Sequence, residues 1–237
     1  MKTIARFHAV AAMALSLVAA PFAQAIPTIR ISDGVNPAVT VTDNGVGDTT
    51  ANLGQVNYAN SSFFGWNVLV SSGVTKPIIG SATSPALDLS WQVVRGAGSQ
   101  GTLTIYFSEN GFNLNPAGNF TTDAGGALGN QGTPTATVRT YYDLGNTELA
   151  ATTLLTSHLF TGQGGFSGTD NGGPVGPDSS VAFTIRLDVS TPFGSVASGN
   201  IDLHLNNVPE SGSMATFLGA GLLALGVVAA RLRKARA

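Results

Sequence analysis

The chain has 237 residues, of which 43% are hydrophobic and 10% charged, and its formal net charge is −2. It contains no cysteine, which excludes disulfide bonds, thiolate metal sites and a cysteine nucleophile together. Residues 26–207 hold five cations against 12 acidic side chains, a net charge of −7. This acidic middle argues against nucleic acid or an anionic lipid surface as a partner and is compatible with cations or neutral glycans.

Residues 1–25 have the layout of a secretory signal peptide. A short basic head is followed by an apolar stretch at residues 9–20 and by an A-x-A cleavage site at Ala23 and Ala25. The alternative, a retained N-terminal anchor, is disfavoured because the apolar stretch is too short to cross a bilayer. The sequence therefore predicts that the middle of the chain is exported.

Alternating apolar and polar residues in the middle of the chain indicate half-buried strands. The pattern is plainest at residues 87–93, 181–189 and 201–205. Further strands are predicted by the same signal, while residues 148–160 are ambiguous. These further strands are residues 28–31, 38–42, 65–71, 102–108 and 135–142.

Glycine-rich segments separate these strands and are predicted to be turns or loops. They are residues 42–48, 109–119, 123–132 and 162–178. No amphipathic helix is predicted between residues 26 and 207. Antiparallel strands with one polar face and long glycine-rich connections predict an all-β sandwich, jelly-roll or immunoglobulin-like in shape.

Residues 208–237 form a three-part tail. A short motif comes first, residues 213–230 carry no charge, and residues 231–237 are basic. The motif is Val208, Pro209, Glu210, Ser211 and Gly212, and the cations of the basic end are Arg231, Arg233, Lys234 and Arg236. A helix of this uncharged length would span about 27 Å, enough for a bilayer core. The basic end would stay in the cytoplasm and stop translocation.

At this tail the chain resembles the PEP-CTERM family of bacterial sorting signals, and most closely its VPDSG variant. Glu210 stands where that variant has Asp. The resemblance implies recognition of Pro209 and Glu210 by an exosortase in a Gram-negative, exopolysaccharide-producing bacterium, with removal or exchange of the helix. Tails of this kind are also labelled ice-binding protein C-terminal domains, a label that describes the tail and implies no activity elsewhere. A plain single-pass anchor and a buried helix are the alternatives.

Residue types that carry catalysis are sparse between the two ends. His158 and His204 have no other ligand type beside them in sequence, and the segments that approach G-x-S-x-G lead into no helix pattern. Glu109 and Glu148 are the only glutamates of residues 26–207, and a glycosidase with paired carboxylates could use them or an Asp, although the sequence does not set their separation. We therefore expect no enzyme activity, with an extracellular hydrolase as the second alternative.

One loop offers weak metal candidates. Asp43, Asn44 and Asp48 place oxygen ligands and glycines close together, which is how Ca²⁺ is held. Their spacing does not match a calcium loop, and Asp-Asn-Gly is also an ordinary hairpin turn. No cofactor is expected, and Ca²⁺ is the one metal considered.

Aromatic residues supply the candidates for sugar binding. Trp66 and Trp91 alternate in phase with aliphatic residues and are therefore predicted to be core residues. The candidates for exposed aromatic contacts are Phe63, Phe64, Tyr58 and Tyr142.

The leading interpretation is an exported structural or interaction protein. It is expected to be held briefly in the inner membrane and then placed in the envelope or matrix. The alternative is a carbohydrate-binding module, with exopolysaccharide or other glycans as partners.

Overall fold

The structure is a computed structural model that describes residues 26–206. This part of the chain forms 12 strands: β1 (Thr28–Ser32), β2 (Val39–Thr42), β3 (Gln55–Phe63), β4 (Trp66–Val74), β5 (Ala86–Arg95), β6 (Leu103–Leu114), β7 (Gly118–Leu128), β8 (Thr135–Asp143), β9 (Thr153–Thr161), β10 (Gly164–Val175), β11 (Asp178–Ser190) and β12 (Val196–Asn206).

The strands are arranged in two six-stranded sheets. Sheet 1 has the order β2-β1-β6-β11-β8-β9, and sheet 2 has the order β10-β7-β12-β5-β4-β3. Every pairing between neighbouring strands is antiparallel. The all-β antiparallel sandwich predicted from the sequence is therefore confirmed.

The core lies between the two sheets and is built from every second residue of the strands. In β5, Leu87, Leu89, Trp91 and Val93 are buried, while the polar residues that alternate with them are only half-buried. Successive side chains of a strand point to opposite faces, so this alternation places one apolar face inward and one polar face outward. Trp66 and Trp91 lie in this core, as predicted.

A buried hydroxyl cluster crosses the core near one edge of the sandwich. Thr140 Oγ1 lies 3.2 Å from Thr122 Oγ1 and 2.6 Å from Thr156 Oγ1, and Thr156 donates to Thr122 at 2.9 Å. The three hydroxyls satisfy one another, so the polar atoms are buried without losing their hydrogen bonds. The cluster joins β7 of sheet 2 to β8 and β9 of sheet 1.

The prediction of turns is wrong, in whole or in part, for three of the glycine-rich segments. Most of residues 162–178 form β10, residues 123–128 belong to β7, and the first half of residues 109–119 continues β6. The strand β3 is not predicted by the sequence pattern. The turn predicted at residues 42–48 is confirmed, because β2 ends there and Gly45 N donates to Thr42 O at 2.8 Å.

Close packing explains why β10 is rich in glycine. A Cβ atom on Gly168 would lie 2.9 Å from Cε1 of His158, and one on Gly172 would lie 2.6 Å from the carbonyl oxygen of Leu155. Both partners belong to β9, the neighbouring edge strand of sheet 1. Glycine therefore lets the edges of the two sheets approach each other. The glycine-rich composition that predicted a loop at residues 162–178 is explained by this close approach of β10 to β9.

Residues 26–206 contain no helix, in agreement with the expectation that this part lacks one. Within the same range no helix is long and apolar enough to span a bilayer. The predicted signal peptide and the predicted sorting tail with its span lie outside the described residues.

Candidate functional site

Three aspartates face one another across the outer face of sheet 2. Asp202 of β12 is paired in register with Asp88 of β5 on one side and with Asp123 of β7 on the other. On the far side of Asp123 the register continues to Thr169 of β10. We call Asp88, Asp202 and Asp123 the carboxylate row. Because strands lie about 4.8 Å apart, the row with Thr169 spans about 14 Å across four strands.

Asn200 lies two residues before Asp202 on the same face and organises one end of this row. Its side-chain nitrogen donates to Asp88 Oδ2 at 3.0 Å and to Ser90 Oγ at 3.1 Å. Its side-chain oxygen is buried and has no hydrogen-bond partner among residues 26–206. A buried acceptor without a donor costs free energy, so a donor brought by a ligand would be stabilised there.

The carboxylate row holds its central member in an unfavourable environment for charge. Burial, followed by the hydrogen bond and the negative charge of Asp88 and the charge of Asp123, raises the pKa of Asp202 to about 7. Near neutral pH this carboxyl group therefore exists both as an acceptor and as a protonated donor.

Two members of the carboxylate row, Asp123 and Asp202, line a cleft of about 430 Å³. Polar side chains from three strands line it: Asp123, Ser167, Thr169, Asn200 and Asp202. Thr169 Oγ1 donates to Asp123 Oδ1 at 2.5 Å, which fixes that carboxylate, and His204 Nδ1 lies 4.0 Å from Asp123 Oδ2. The volume falls within the range of small-molecule sites.

The loop that holds Asp43, Asn44 and Asp48 is organised by its own carboxylates. Asp43 Oδ2 accepts from Gly54 N at 2.7 Å, and Asp48 accepts from the backbone nitrogens of Asn44 and Asn57 at 2.8 and 2.9 Å. Oxygen atoms used in this way shape the turn. Within residues 26–206 no group of three or more His, Cys, Asp or Glu side chains is placed to hold a metal ion.

The prediction of exposed aromatic residues is wrong for two of its four members. Phe63 and Tyr58 are buried, because β3 turns both side chains into the core. Tyr142 is half-buried against that core, and Phe64 is exposed at the β3–β4 turn. The four aromatic residues therefore do not form one exposed surface.

The two glutamates Glu109 and Glu148 come together at one end of the sandwich. Lys76 Nζ lies 3.0 Å from Glu109 Oε1, and burial, which outweighs the effect of Lys76, raises the pKa of Glu109 to about 7. Glu148 is half-buried and accepts from Thr28 Oγ1 at 3.0 Å. Glu109 is completely buried, so it cannot contact a substrate in this structure.

The two histidines lie on different parts of the molecule. His158 Nδ1 is 3.0 Å from Asp170 Oδ2, and its ring stacks on Phe160 with centroids 4.3 Å apart. This contact joins β9 to β10, and it explains His158 as a structural residue. His204 lies on the polar face of β12, as the alternation of that strand predicts, with its Nδ1 4.0 Å from Asp123 Oδ2.

Sequence reasoning missed the carboxylate row. The alternation of β5 and β12 would have placed Asp88 and Asp202 on polar faces, but Asp123 fell in a segment predicted to be a turn. Only the strand register shows that the three aspartates are neighbours.

No protein-family model and no curated protein matches the chain. Among solved structures, TmCBM61 in complex with β-1,4-galactotriose shares 13% identity over 63% of this chain and 99% of its own, with a TM-score of 0.32. A structure of carbohydrate-binding modules from the β-sandwich superfamily shares 11% identity over 74% of this chain and 82% of its own, with a TM-score of 0.28.

The enzymatically active domain of tailspike protein 4 from bacteriophage CBA120 shares 17% identity over 62% of this chain and 21% of its own, with a TM-score of 0.29. Likenesses at these identities and TM-scores carry no argument about function.

Proposed function

We propose that the domain binds neutral glycans in the cleft beside the carboxylate row. The observation that carries the proposal is the cleft lined by polar side chains of three strands. In its wall the side-chain oxygen of Asn200 has no hydrogen-bond partner among residues 26–206, and the neighbouring carboxylates have no cation within their row. Each sugar hydroxyl has one O–H donor and can also accept, so one hydroxyl could donate to Asn200 while a neighbouring hydroxyl of the same sugar donates to Asp123.

The polar lining suits a ligand rich in hydroxyl groups. Carboxylates accept, Ser167 and Thr169 both donate and accept, and Asp202 can do either because its pKa lies near 7. Hydrogen bonds to charged acceptors are stronger than neutral ones. Such a set fixes the orientation of a sugar without any covalent step.

The charge of the cleft supports a neutral ligand over an acidic one. Asp123 and Asp202 line it, and no cation is among the residues that form its wall. An anionic sugar would add a further like charge to a row that already disfavours charge on Asp202. The cleft also has no aromatic ring in its lining, so we expect weak affinity, on the order of 1 mM.

Calorimetric titration of the purified protein with neutral oligosaccharides tests this function. We expect saturable binding to at least one of them, and Asn200→Ala should weaken it about tenfold because it removes the unpaired acceptor. Thr137→Ala on the outer face of sheet 1 is the matched control and should leave binding unchanged. Binding that survives Asn200→Ala, in a variant with an unchanged melting temperature, would contradict the proposal.

The place of action that we propose is the cell envelope or the extracellular matrix, reached through an exosortase. This part rests on Ala23 and Ala25 at one end and on the tail at residues 208–237 at the other. Mass spectrometry of the protein from its host tests it, and we expect a mature chain that begins at Ile26 and has lost residues 213–237. An intact C terminus at Ala237 would contradict processing.

A further inference from the structure

The outer face of sheet 1 carries a row of cationic and aromatic side chains. Arg30 of β1 is paired in register with Tyr106 of β6, Tyr106 with Arg186 of β11, and Arg186 with Arg139 of β8. We call these four residues the arginine row. It contains three of the five cations found in residues 26–206.

Asp188 fixes two of these arginines in place. Arg139 Nη1 lies 2.6 Å from Asp188 Oδ2, and Arg186 donates through Nε and Nη2 to Asp188 Oδ1 at 3.1 and 3.0 Å. Thr104 Oγ1 also donates to Asp188 Oδ1, at 2.7 Å. A guanidinium group has five N–H donors, so both arginines keep donors that Asp188 does not use.

The row remains positively charged and accessible. The side chains of Arg139 and Arg186 are 33% and 32% exposed, and Arg30 is exposed. No ion pair of Arg30 is found among residues 26–206. One carboxylate against three guanidinium groups leaves a charge of +2 on the arginine row with Asp188. The nearest further carboxylate on this face is that of Glu148, which is half-buried and bound to Thr28 Oγ1, two residues from Arg30.

Tyrosine rings stand beside the guanidinium groups. The Arg186 guanidinium carbon lies 5.4 Å from the centroid of the Tyr106 ring, and Tyr141 of β8 is a further half-exposed ring on the same face. Guanidinium groups supply charged donors for carboxylates, and aromatic rings supply apolar surfaces that can cover the C–H face of a sugar ring. The combination suits sugars that carry carboxylate groups.

We infer that the arginine row binds a polysaccharide that carries carboxylate groups, at a second site that is separate from the proposed cleft. The row runs straight across four strands, about 14 Å, and lies on an open sheet face, which suits an extended chain with repeated charges. Asp188 shows how a carboxylate binds to this row, because its own carboxylate bridges Arg139 and Arg186.

The acidic face of a second copy of the chain is the competing anionic partner. Its carboxylate row is centred on Asp202, which is partly protonated near neutral pH, so the attraction between two copies would be weak. A carboxylated polysaccharide keeps its full charge at that pH and presents it on an accessible chain.

Affinity electrophoresis of the full chain in gels that contain polygalacturonate, dextran sulfate or dextran tests the inference. We expect retardation by polygalacturonate and none by dextran. Arg30→Gln should weaken polygalacturonate binding about fivefold to tenfold. Tyr106→Ser keeps the charge and should still weaken binding about threefold, because it removes the ring.

Arg95→Gln is the matched charge control. It removes one positive charge at an end of sheet 2, where Arg95 donates to Ser99 and to the carbonyl oxygen of Thr191, and it should leave binding unchanged. Equal losses in Arg30→Gln and Arg95→Gln would overturn the inference, because only net charge would then matter. Retardation by dextran sulfate alone would also overturn it.

Sedimentation analysis of the same variants tests whether a second copy of the chain is the partner of the arginine row. Self-association at low salt that disappears in Arg30→Gln, without retardation by polygalacturonate, would overturn the inference in favour of a second copy. Because Asn200 lies on the other sheet, Asn200→Ala should keep polygalacturonate binding. The cleft and the arginine row can therefore fail independently.

Discussion

On the outer face of sheet 2, Asp88, Asp123 and Asp202 face one another with no cation in their row, whereas on sheet 1 two arginines share Asp188. Both faces bring like charges together on neighbouring strands. Sheet 1 compensates them with a bridging side chain, and sheet 2 leaves one carboxyl group partly protonated. A paired charge contributes stability, while an unpaired row stores electrostatic cost that a ligand or a proton can relieve.

Removing the bridge on sheet 1 should give the larger change in stability. Asp188→Ala leaves Arg139 and Arg186 facing each other without a carboxylate between them, and we expect a loss of about 2 kcal/mol in the free energy of unfolding. Urea denaturation at neutral pH measures it. Asp188→Asn, which keeps the shape, should lose less. Equal stability of Asp188→Ala and wild type would show that the bridge does not compensate the arginine charges.

Removing the central charge on sheet 2 should have a smaller effect of opposite sign. Because the folded pKa of Asp202, about 7, lies above its unfolded value of about 3.9, the folded state binds more protons between these values. Wild-type stability should therefore fall as the pH rises from about 4 to about 7.

Asp202→Asn should escape this loss. We expect it to be more stable than wild type by about 1 kcal/mol at pH 8, a value reduced for solvent screening of a half-exposed group, and equal to wild type near pH 4. Thermal or urea unfolding at both pH values measures the difference. A variant that is destabilised equally at both would mean that Asp202 is not strained by its neighbours.

The strands with clean alternation could be predicted from sequence, and the site could not. In β5 the burial of Leu89 and Trp91 follows directly from the period of two. The strand β10 could not be recognised, because Gly168 and Gly172 serve a close approach to β9 that only the fold reveals. A sandwich was therefore predictable, but its complete strand set was not.

Charge gave the least direct guide to function. The net charge of residues 26–207 predicted an acidic molecule, yet the register of β1, β6, β11 and β8 gathers three of its five cations on one face. Sequence distance hides such a cluster, since Arg30 and Arg186 meet through β6. The aromatic candidates failed for a related reason, because Phe63 and Tyr58 belong to a strand that the sequence did not indicate.

The most direct test of the account is the affinity of wild type, Asn200→Ala and Arg30→Gln for one neutral oligosaccharide and for polygalacturonate. We predict that Asn200→Ala loses about tenfold in affinity for the oligosaccharide alone and that Arg30→Gln loses a similar factor for polygalacturonate alone. Losses shared by both ligands, or no loss for either, would contradict the assignment of separate ligands to the two faces.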